Sequence, residues 1–390
     1  MDVRGIERAW RLGWMRIIAR MLPGPRTTTL PDVKTRPLKV LFLRYDRIGD
    51  MIMATGLIRA LAHSSPLITV DVVAGPNTAA VLDRNPHVRK VFALRRGSWL
   101  SYLALGRQLA REHYDVIVDG RLNNPPAFTS TPLLMLSAGA RYRVGGGGGR
   151  AGGNNDLVYN VRVKVPARSE HYVEGSKALA EPFGLNVSDF DWRTEIFLSD
   201  DEREGAEAVW GRAAARVTPV SIDNGSTEPR LLVNLSASHY KRRWGDENFI
   251  KVLRAVRAAH PAVPIVVIGL PADWDSVKTV AASAAAEAAS TPQLREALAL
   301  VATSDRVLTP DTSISHAASA FNKPEVVLLR RDGYPDSPFD MAGEFVFWDG
   351  DTIHGLAAND VVAAVLRLCS LTDQESAPSA LPALQPHCAG

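Results

Sequence analysis

The feature that most limits what this chain can become is an alternation that runs along it twice. "KVLFLR" (39–44), "ITVDVVAG" (68–75), "VRKVFAL" (88–94) and "YDVIVDG" (114–120) are short runs rich in Val, Ile and Leu. Strands apolar on both faces must be covered on both, which points to a parallel sheet. Helical patterns at 51–63, 78–83 and 98–112 separate them, as crossover connections require. The alternation restarts at "LLVNLSAS" (231–238) and continues through "PIVVIGL" (264–270), "DRVLTP" (305–310) and "EVVLLR" (325–330). Its helical patterns lie at 244–260, in an Ala-rich stretch near 275–289, and at 291–302, where Thr291-Pro292 reads as a helix start. The expected fold class is therefore α/β, with two doubly wound halves joined around residues 185–230.

The chain's 390 residues exceed the length at which one core stops growing, about 250–300. The expected divisions are an extension at 1–37, an N-terminal domain at 38–199, a C-terminal domain at 200–371 and a tail at 372–390. The tail's composition predicts disorder. Apolar residues make up 46% and charged residues 22%, as in an ordinary globular core. A net charge of +3 is too small to argue for a nucleic-acid partner. Cys369 and Cys388, both near the end of the chain, outline no disulfide framework and no metal site. They fit a reducing, cytoplasmic compartment.

No apolar run approaches the roughly 18–20 residues that cross a bilayer. The N-terminus carries a different signal. Ile6, Trp10, Trp14, Ile17, Ile18 and Met21 recur at helical spacing, with Arg4, Arg8, Arg11, Arg16 and Arg20 among them. Such a helix can lie on an anionic membrane surface through residues 4–21. It can equally pack on its own protein or on a second subunit. Arginines interrupt every apolar stretch, so it is not a secretory signal.

Three stretches at the carboxyl ends of expected strands can carry chemistry. In "LTPDTSISHAASAFNKP" (308–324), Asp311, Thr312 and Ser313 open a helix of small residues bearing His316. A helix N-terminus and short hydroxyl donors suit an anion, and small side chains let a diphosphate approach. The alternative is that Asp311 only caps the helix and His316 is a core histidine. In "SASHYKRRWGDENF" (236–249), Lys241, Arg242 and Arg243 precede a helix, where a cation could neutralise a departing diphosphate. A solvated basic turn is the other reading. In "LFLRYDRIGDMIMAT" (41–55), Asp50 stands at a helix start, where a carboxylate is stabilised and its pKa lowered. It is either a cap or a catalytic base. "RVGGGGGRAGGNN" (143–155) lacks the Lys-Ser/Thr pair of a phosphate loop and reads as a mobile loop.

Taken together, these stretches resemble glycosyltransferase family 9, the ADP-heptose:lipopolysaccharide heptosyltransferases, from about Lys39 to Asp340. "VLFLRYDRIGDMIMATGLIRAL" is similar to the family's opening strand, Arg-x-x-x-Ile-Gly-Asp turn and helix. "NPHVRKVFAL", "GARYRVGG", "EHYVEGSKALAEPFGL", "KRRWGDENF" and "TPDTSISHAASAFNKP" follow in the family's order. The resemblance implies a GT-B architecture, with two Rossmann-like domains across a cleft that closes to exclude water. It implies inverting transfer of heptose from ADP-heptose to a glycan or lipid-linked glycan acceptor such as lipopolysaccharide core, on the cytoplasmic face of the inner membrane. By the same resemblance, Asp50 is the base and Arg47 and Gly49 lie on the acceptor side. Asp311, Thr312, Ser313 and His316 surround the donor diphosphate with Lys241 or Arg242, and Asp273 or Asp275 contacts the ribose. No metal or other cofactor is required.

The chain departs from the family pattern in its glycine run, its long basic N-terminus, and in Gly245 where the family has proline. Two alternatives are a member with another nucleotide sugar or a protein acceptor, and a non-catalytic, membrane-associated binding protein. An NAD-dependent enzyme ranks lower, because no G-x-G-x-x-G follows any expected strand.

Overall fold

In the first half of the chain the apolar runs become β1 (Leu38–Leu43), β2 (Ile68–Ala74), β3 (Lys90–Ala93), β4 (Val116–Asp119), β5 (Tyr142–Gly147) and β6 (Val161–Lys164). They lie in the order β3-β2-β1-β4-β5-β6, every neighbouring pair parallel. The second half supplies β7 (Leu231–Asn234), β8 (Ile265–Ile268), β9 (Glu287–Ala288), β10 (Arg306–Pro310), β11 (Glu325–Arg330) and β12 (Gly343–Trp348). Their order is β12-β11-β10-β7-β8-β9, again parallel throughout. Counted from its own first strand, the second sheet repeats the order of the first. Strand order reverses between β1 and β4, and between β7 and β10. At such a switch point the loops leaving the carboxyl ends diverge, and ligands bind between them.

The structure is a computed structural model. It describes residues 13–14, 16–22, 24–31, 33–95, 99–122, 130–147, 157–165, 171–217, 228–237 and 239–370. The chain divides into two units, Met1–Asp200 with Asp332–Phe339, and Asp201–Arg331 with Asp340–Gly390.

In the first unit, α1 (Ile48–His63) buries most of its length, including Met51, Ile52, Leu57 and Leu61. The helices α2 (Trp99–Glu112) and α3 (Ser130–Ala138) pack together on the same sheet. The short α4 (Tyr172–Lys177) lies against α1. In the second unit α5 (Asp200–Ala214), α6 (Asp246–Ala259), α7 (Trp274–Ala282), α8 (Leu294–Thr303), α9 (Ser313–Ala320) and α10 (Ala358–Ser370) surround the sheet. Leu231, Val233, Val267, Leu308 and Val326 of its strands meet Phe249 and Val252 of α6 and Val361 and Leu368 of α10 in one core.

Several sequence expectations are corrected. The Ala-rich helix expected to reach 289 ends at Ala282, because Ala285 takes a left-handed φ of 49° and Glu287 enters the sheet. The Glu287 carboxylate is held there by Arg212 and Arg216 at 2.8 and 2.6 Å, a long-range pairing no local pattern reveals. The helix expected from Thr291-Pro292 starts instead at Leu294, where Gln293 and Glu296 form a reciprocal capping box. Part of the glycine run is not loop at all, since residues 145–147 belong to β5. A Cβ on Gly145 would stand 2.5 Å from the Tyr159 ring, so glycine is what lets β5 and Tyr159 approach. The rest of that run, 148–156, lies outside the described residues, as does the tail beyond 370. The joining region contains a full helix, α5, that the pattern reading passed over.

Residues following the N-terminal helix are laid onto the first unit. Thr27 bridges to Val161 of β6 and donates to the Asn160 carbonyl at 2.9 Å, while Leu30 and Val33 are buried. This covers part of an otherwise open sheet edge.

Candidate active site

The first switch point is built by the loop Arg44–Arg47 after β1 and by Gly120 and Arg121 after β4. α1 begins at Ile48, with Arg47 in extended conformation as its N-cap and no capping bond from that side chain. Asp50 is therefore the third residue of the helix, within its first turn, and does not occupy the cap position. Its carboxylate, 15% exposed, forms an ion pair through Oδ1 with Arg44 Nη2 at 3.1 Å. Arg44 is itself buried, with Nη1 donating to the Gly120 carbonyl at 2.6 Å and its guanidinium 4.6 Å from the Tyr172 ring centre. Asp46 Oδ1 stands 3.3 Å from Arg44 Nε, without hydrogen-bond alignment. Arg47 is exposed and Gly49 buried.

The expectation that the helix start lowers the pKa of Asp50 is corrected. Burial is the largest influence and raises it; Arg44 and Arg47 oppose this, and Asp46 and Asp336 add to it, with a net upward shift. Desolvation of a carboxylate outweighs a partial helix charge and one imperfectly aligned cation. The result is a half-buried carboxylate with raised proton affinity, which is the property a general base near neutral pH needs.

Behind this loop, Asp119 and Arg121 form a buried pair at 2.9 Å. Tyr159 donates to Asp119 at 2.7 Å, and Arg121 donates to the Tyr45 hydroxyl at 2.7 Å. These bonds fix the backbone whose Gly120 carbonyl receives both Arg44 and the Tyr172 hydroxyl.

The second switch point lies between the loops after β7 and β10. Thr312, not Asp311, caps α9; its hydroxyl accepts from Ile314 N at 3.2 Å. Thr312 is positioned in turn by Asn234, the last residue of β7, at 3.2 Å. Thr312 and Ser313 are half-buried at the helix start, and His316 is buried one turn further on. The initial N–H groups of such a helix have no intrahelical partner and carry its positive pole.

The three cations of "KRR" go to three different acids. Arg242 Nη1 meets Asp311 Oδ2 at 3.0 Å and donates to its carbonyl at 3.0 Å, which brings Arg242 beside the start of α9. Lys241 pairs with the exposed Asp351. Arg243 pairs with Asp273 at 3.1 Å, and Asp273 accepts from the Ser236 hydroxyl at 2.7 Å. Asp273 thus joins the loop after β7. Asp275 does not: it lies 96% exposed on α7, paired with Lys278 at 2.8 Å.

Gly245, where the family pattern has proline, has φ 96° and caps α6, a conformation closed to proline. Just before it, Trp244 is fully buried and donates to the Leu356 carbonyl at 2.9 Å, anchoring the basic loop.

Sequence reasoning missed Arg44, Asp46, Asn234 and Ser236. Arg44 and Asp46 were legible as charges inside an otherwise buried strand-to-helix turn; Asn234 and Ser236 carry no such signal. Among the described residues no group of His, Cys, Asp and Glu could hold a metal ion. No helix among them is long and apolar enough to cross a membrane.

Several known proteins are similar to this chain. Lipopolysaccharide core heptosyltransferase OpsX of Haemophilus influenzae is 22% identical over 304 residues, covering 77% of this chain and 81% of that protein. Lipopolysaccharide heptosyltransferase 2 of Escherichia coli is 23% identical over 311 residues, covering 77% and 84%. Among solved structures, a family 9 glycosyltransferase from Veillonella parvula superposes with a TM-score of 0.70 at 16% identity, over 88% of this chain and 99% of that one. Heptosyltransferase WaaC of E. coli, solved with ADP, gives 0.66 at 17% identity, over 85% and 100%. These likenesses establish the GT-B fold. The sequence model of "Glycosyltransferase family 9 (heptosyltransferase)" matches residues 102–332, a span that takes in every donor-side candidate but not Asp50. That match covers more than half of the chain, which therefore belongs to glycosyltransferase family 9.

Proposed function

We propose that this glycosyltransferase moves a heptose from ADP-heptose to a saccharide acceptor such as lipopolysaccharide core, with inversion at the anomeric carbon. The observation that carries the reading is the division of chemistry between the two switch points. One presents a half-buried carboxylate of raised proton affinity, and the other a helix N-terminus with an arginine beside it.

In the proposed step the acceptor oxygen attacks C1 of the sugar and gives its proton to Asp50. The bond from C1 to the diphosphate oxygen breaks, and ADP leaves as the anion. The start of α9 at Thr312 and Ser313, with Arg242, stabilises that developing charge. Asp311 holds Arg242 and is not itself a phosphate contact. Lys241 is the weaker candidate, since Asp351 already engages it. Asp273 is the ribose contact in this reading, the acceptor binds in the first unit beside Arg47 and Gly49, and the chemistry asks for no metal. The homologues named for lipopolysaccharide heptose transfer support the choice of donor and acceptor.

The test is a donor screen that measures nucleotide release with several ADP- and UDP-sugars in the presence of core acceptors. Turnover with another sugar nucleotide but none with ADP-heptose would replace this donor by the second one.

We also infer peripheral contact with an anionic membrane surface. In the described part of the N-terminal helix, Ile18 and Leu22 are buried in the first unit's core, while Trp14, Ile17 and Met21 stay exposed beside exposed Arg16 and Arg20. Vesicle flotation of a Trp14→Ser, Ile17→Ser, Met21→Ser variant should lose the binding of the parent chain; undiminished flotation would discard the contact.

A further inference from the structure

A base paired directly with an arginine is a weakened base, because a neighbouring cation lowers a carboxylate pKa by about 1–3 units. The Arg44–Asp50 pair therefore needs explaining if Asp50 is to take a proton. The guanidinium is not placed by Asp50. It is fixed by the Gly120 carbonyl at 2.6 Å and by the Tyr172 ring beneath it. Gly120 in turn lies between the locked Asp119 and Arg121 and also receives the Tyr172 hydroxyl at 2.5 Å. Arg44 is thus a rigid cation built in just after β1, and the contact it makes with Asp50 at 3.1 Å is to Oδ1. Among the described residues, Oδ2 accepts no hydrogen bond, and it is not sealed in the interior.

Asp46 supplies the counterweight. It stands 3.3 Å from Nε, on the same edge of the guanidinium whose Nη2 faces Asp50, without an aligned hydrogen bond. The charged and titratable groups around Asp50 are Arg44, Asp46 and Arg47 of the loop, Asp336 of the segment Asp332–Phe339, and Tyr172 of α4.

We propose that Arg44 and Asp46 are a pair of positioning residues for Asp50. Arg44 holds Oδ1 and leaves Oδ2 to receive the acceptor's proton, while Asp46 engages enough of Arg44's charge to keep Asp50 basic. The proposal rests on the reading of Asp50 as the base.

Two readouts on the full-length protein test it. The first is the pH dependence of kcat/KM with ADP-heptose and a lipopolysaccharide-core glycolipid. The second needs no acceptor: carboxyl carbon NMR of the aspartate-labelled chain, with Asp50 assigned by its loss in Asp50→Asn. Arg44→Met removes the cation, so the acidic limb and the Asp50 titration should both move up by about one pH unit. Arg44→Lys should recover part of that shift. Asp46→Asn removes a like charge and should move both readouts down, by roughly half a unit to one unit. Opposite displacements are the signature, because a merely structural role lowers activity without moving the two in opposite senses.

Limbs and titrations that stay put, or that move together, overturn the proposal while leaving Asp50 as base. Near-normal turnover by Asp50→Asn removes the base itself, and the positioning role falls with it. If thermal melting shows that Arg44→Met does not fold, the direction given by Asp46→Asn decides alone.

Discussion

The two sheets have the same strand order, yet their switch points carry opposite chemistry. After β1 and β4 the loops crowd Asp46, Asp50 and Asp119 against Arg44 and Arg121, largely out of water. After β7 and β10 the loops offer a helix start capped by Thr312, with Arg242 held over it by Asp311. The parallel order determines where a site can form, and a handful of loop residues determine the sign of the charge it presents. A buried carboxylate suits proton transfer, and a helix pole with an arginine suits an anion.

Replacing Asp50 should break the comparison most severely. Asp50→Ala should lower transfer by at least ~100-fold, the lower range for a general base, with ADP affinity by calorimetry unchanged because the proposed nucleotide contacts belong to the other unit. On the second side, Arg242→Ala should weaken ADP binding by roughly 10- to 100-fold, as expected for loss of a charge-assisted hydrogen bond. Lys241→Ala should change it by less than ~3-fold, since an exposed pair contributes little. If the two lysine and arginine results exchange places, the basic contact has been assigned to the wrong side chain.

A smaller effect separates functional from idle carboxylates. Glu325 at the start of β11 is wholly buried, and neither carboxylate oxygen has a partner, so burial holds its pKa well above the usual range. Below the unfolded pKa, near 4.5, both states are protonated and nothing is lost. As pH rises through that value the unfolded chain ionises while the native chain does not, and stability falls until the raised native pKa is reached. Glu325→Gln should abolish that decline, raising the melting temperature at pH 7.5 by ~2 °C or more and leaving it nearly unchanged at pH 4. An equal change at both pH values would mean that Glu325 ionises normally. The smallest effect belongs to Asp275→Ala, which should leave ADP affinity within ~2-fold.

The strands most readable from sequence were those buried on both faces, because continuous Val, Ile and Leu runs need no partner to be recognised. β5 was hidden by its glycines, of which Gly145 makes room for the Tyr159 ring and Gly146 for Val165. β9 was hidden because two arginines far back in the chain, Arg212 on α5 and Arg216 just after it, hold its glutamate. The same divide runs through the site. Asp50, Thr312 and Arg242 stand in local patterns of turn, cap and basic run. Which cation meets which acid depends on loops more than a hundred residues apart in the case of Lys241 and Asp351. The capping reading of Asp50 fell to geometry alone, since Arg47 holds the cap position.

The segment Asp332–Phe339 groups with the first unit although it follows β11 of the second. His171, which caps α4, donates from Nε2 to the Ser337 carbonyl at 2.8 Å and contacts the Phe339 ring. During synthesis the chain emerges from its N-terminus, so the first unit has its sheet long before it has this segment. Until residue 339 leaves the ribosome, His171 lacks its acceptor and Asp50 lacks the carboxylate of Asp336 nearby. A fragment ending at residue 200 would reproduce that nascent state. The surroundings of Asp50 are therefore completed only after most of the second unit has been made.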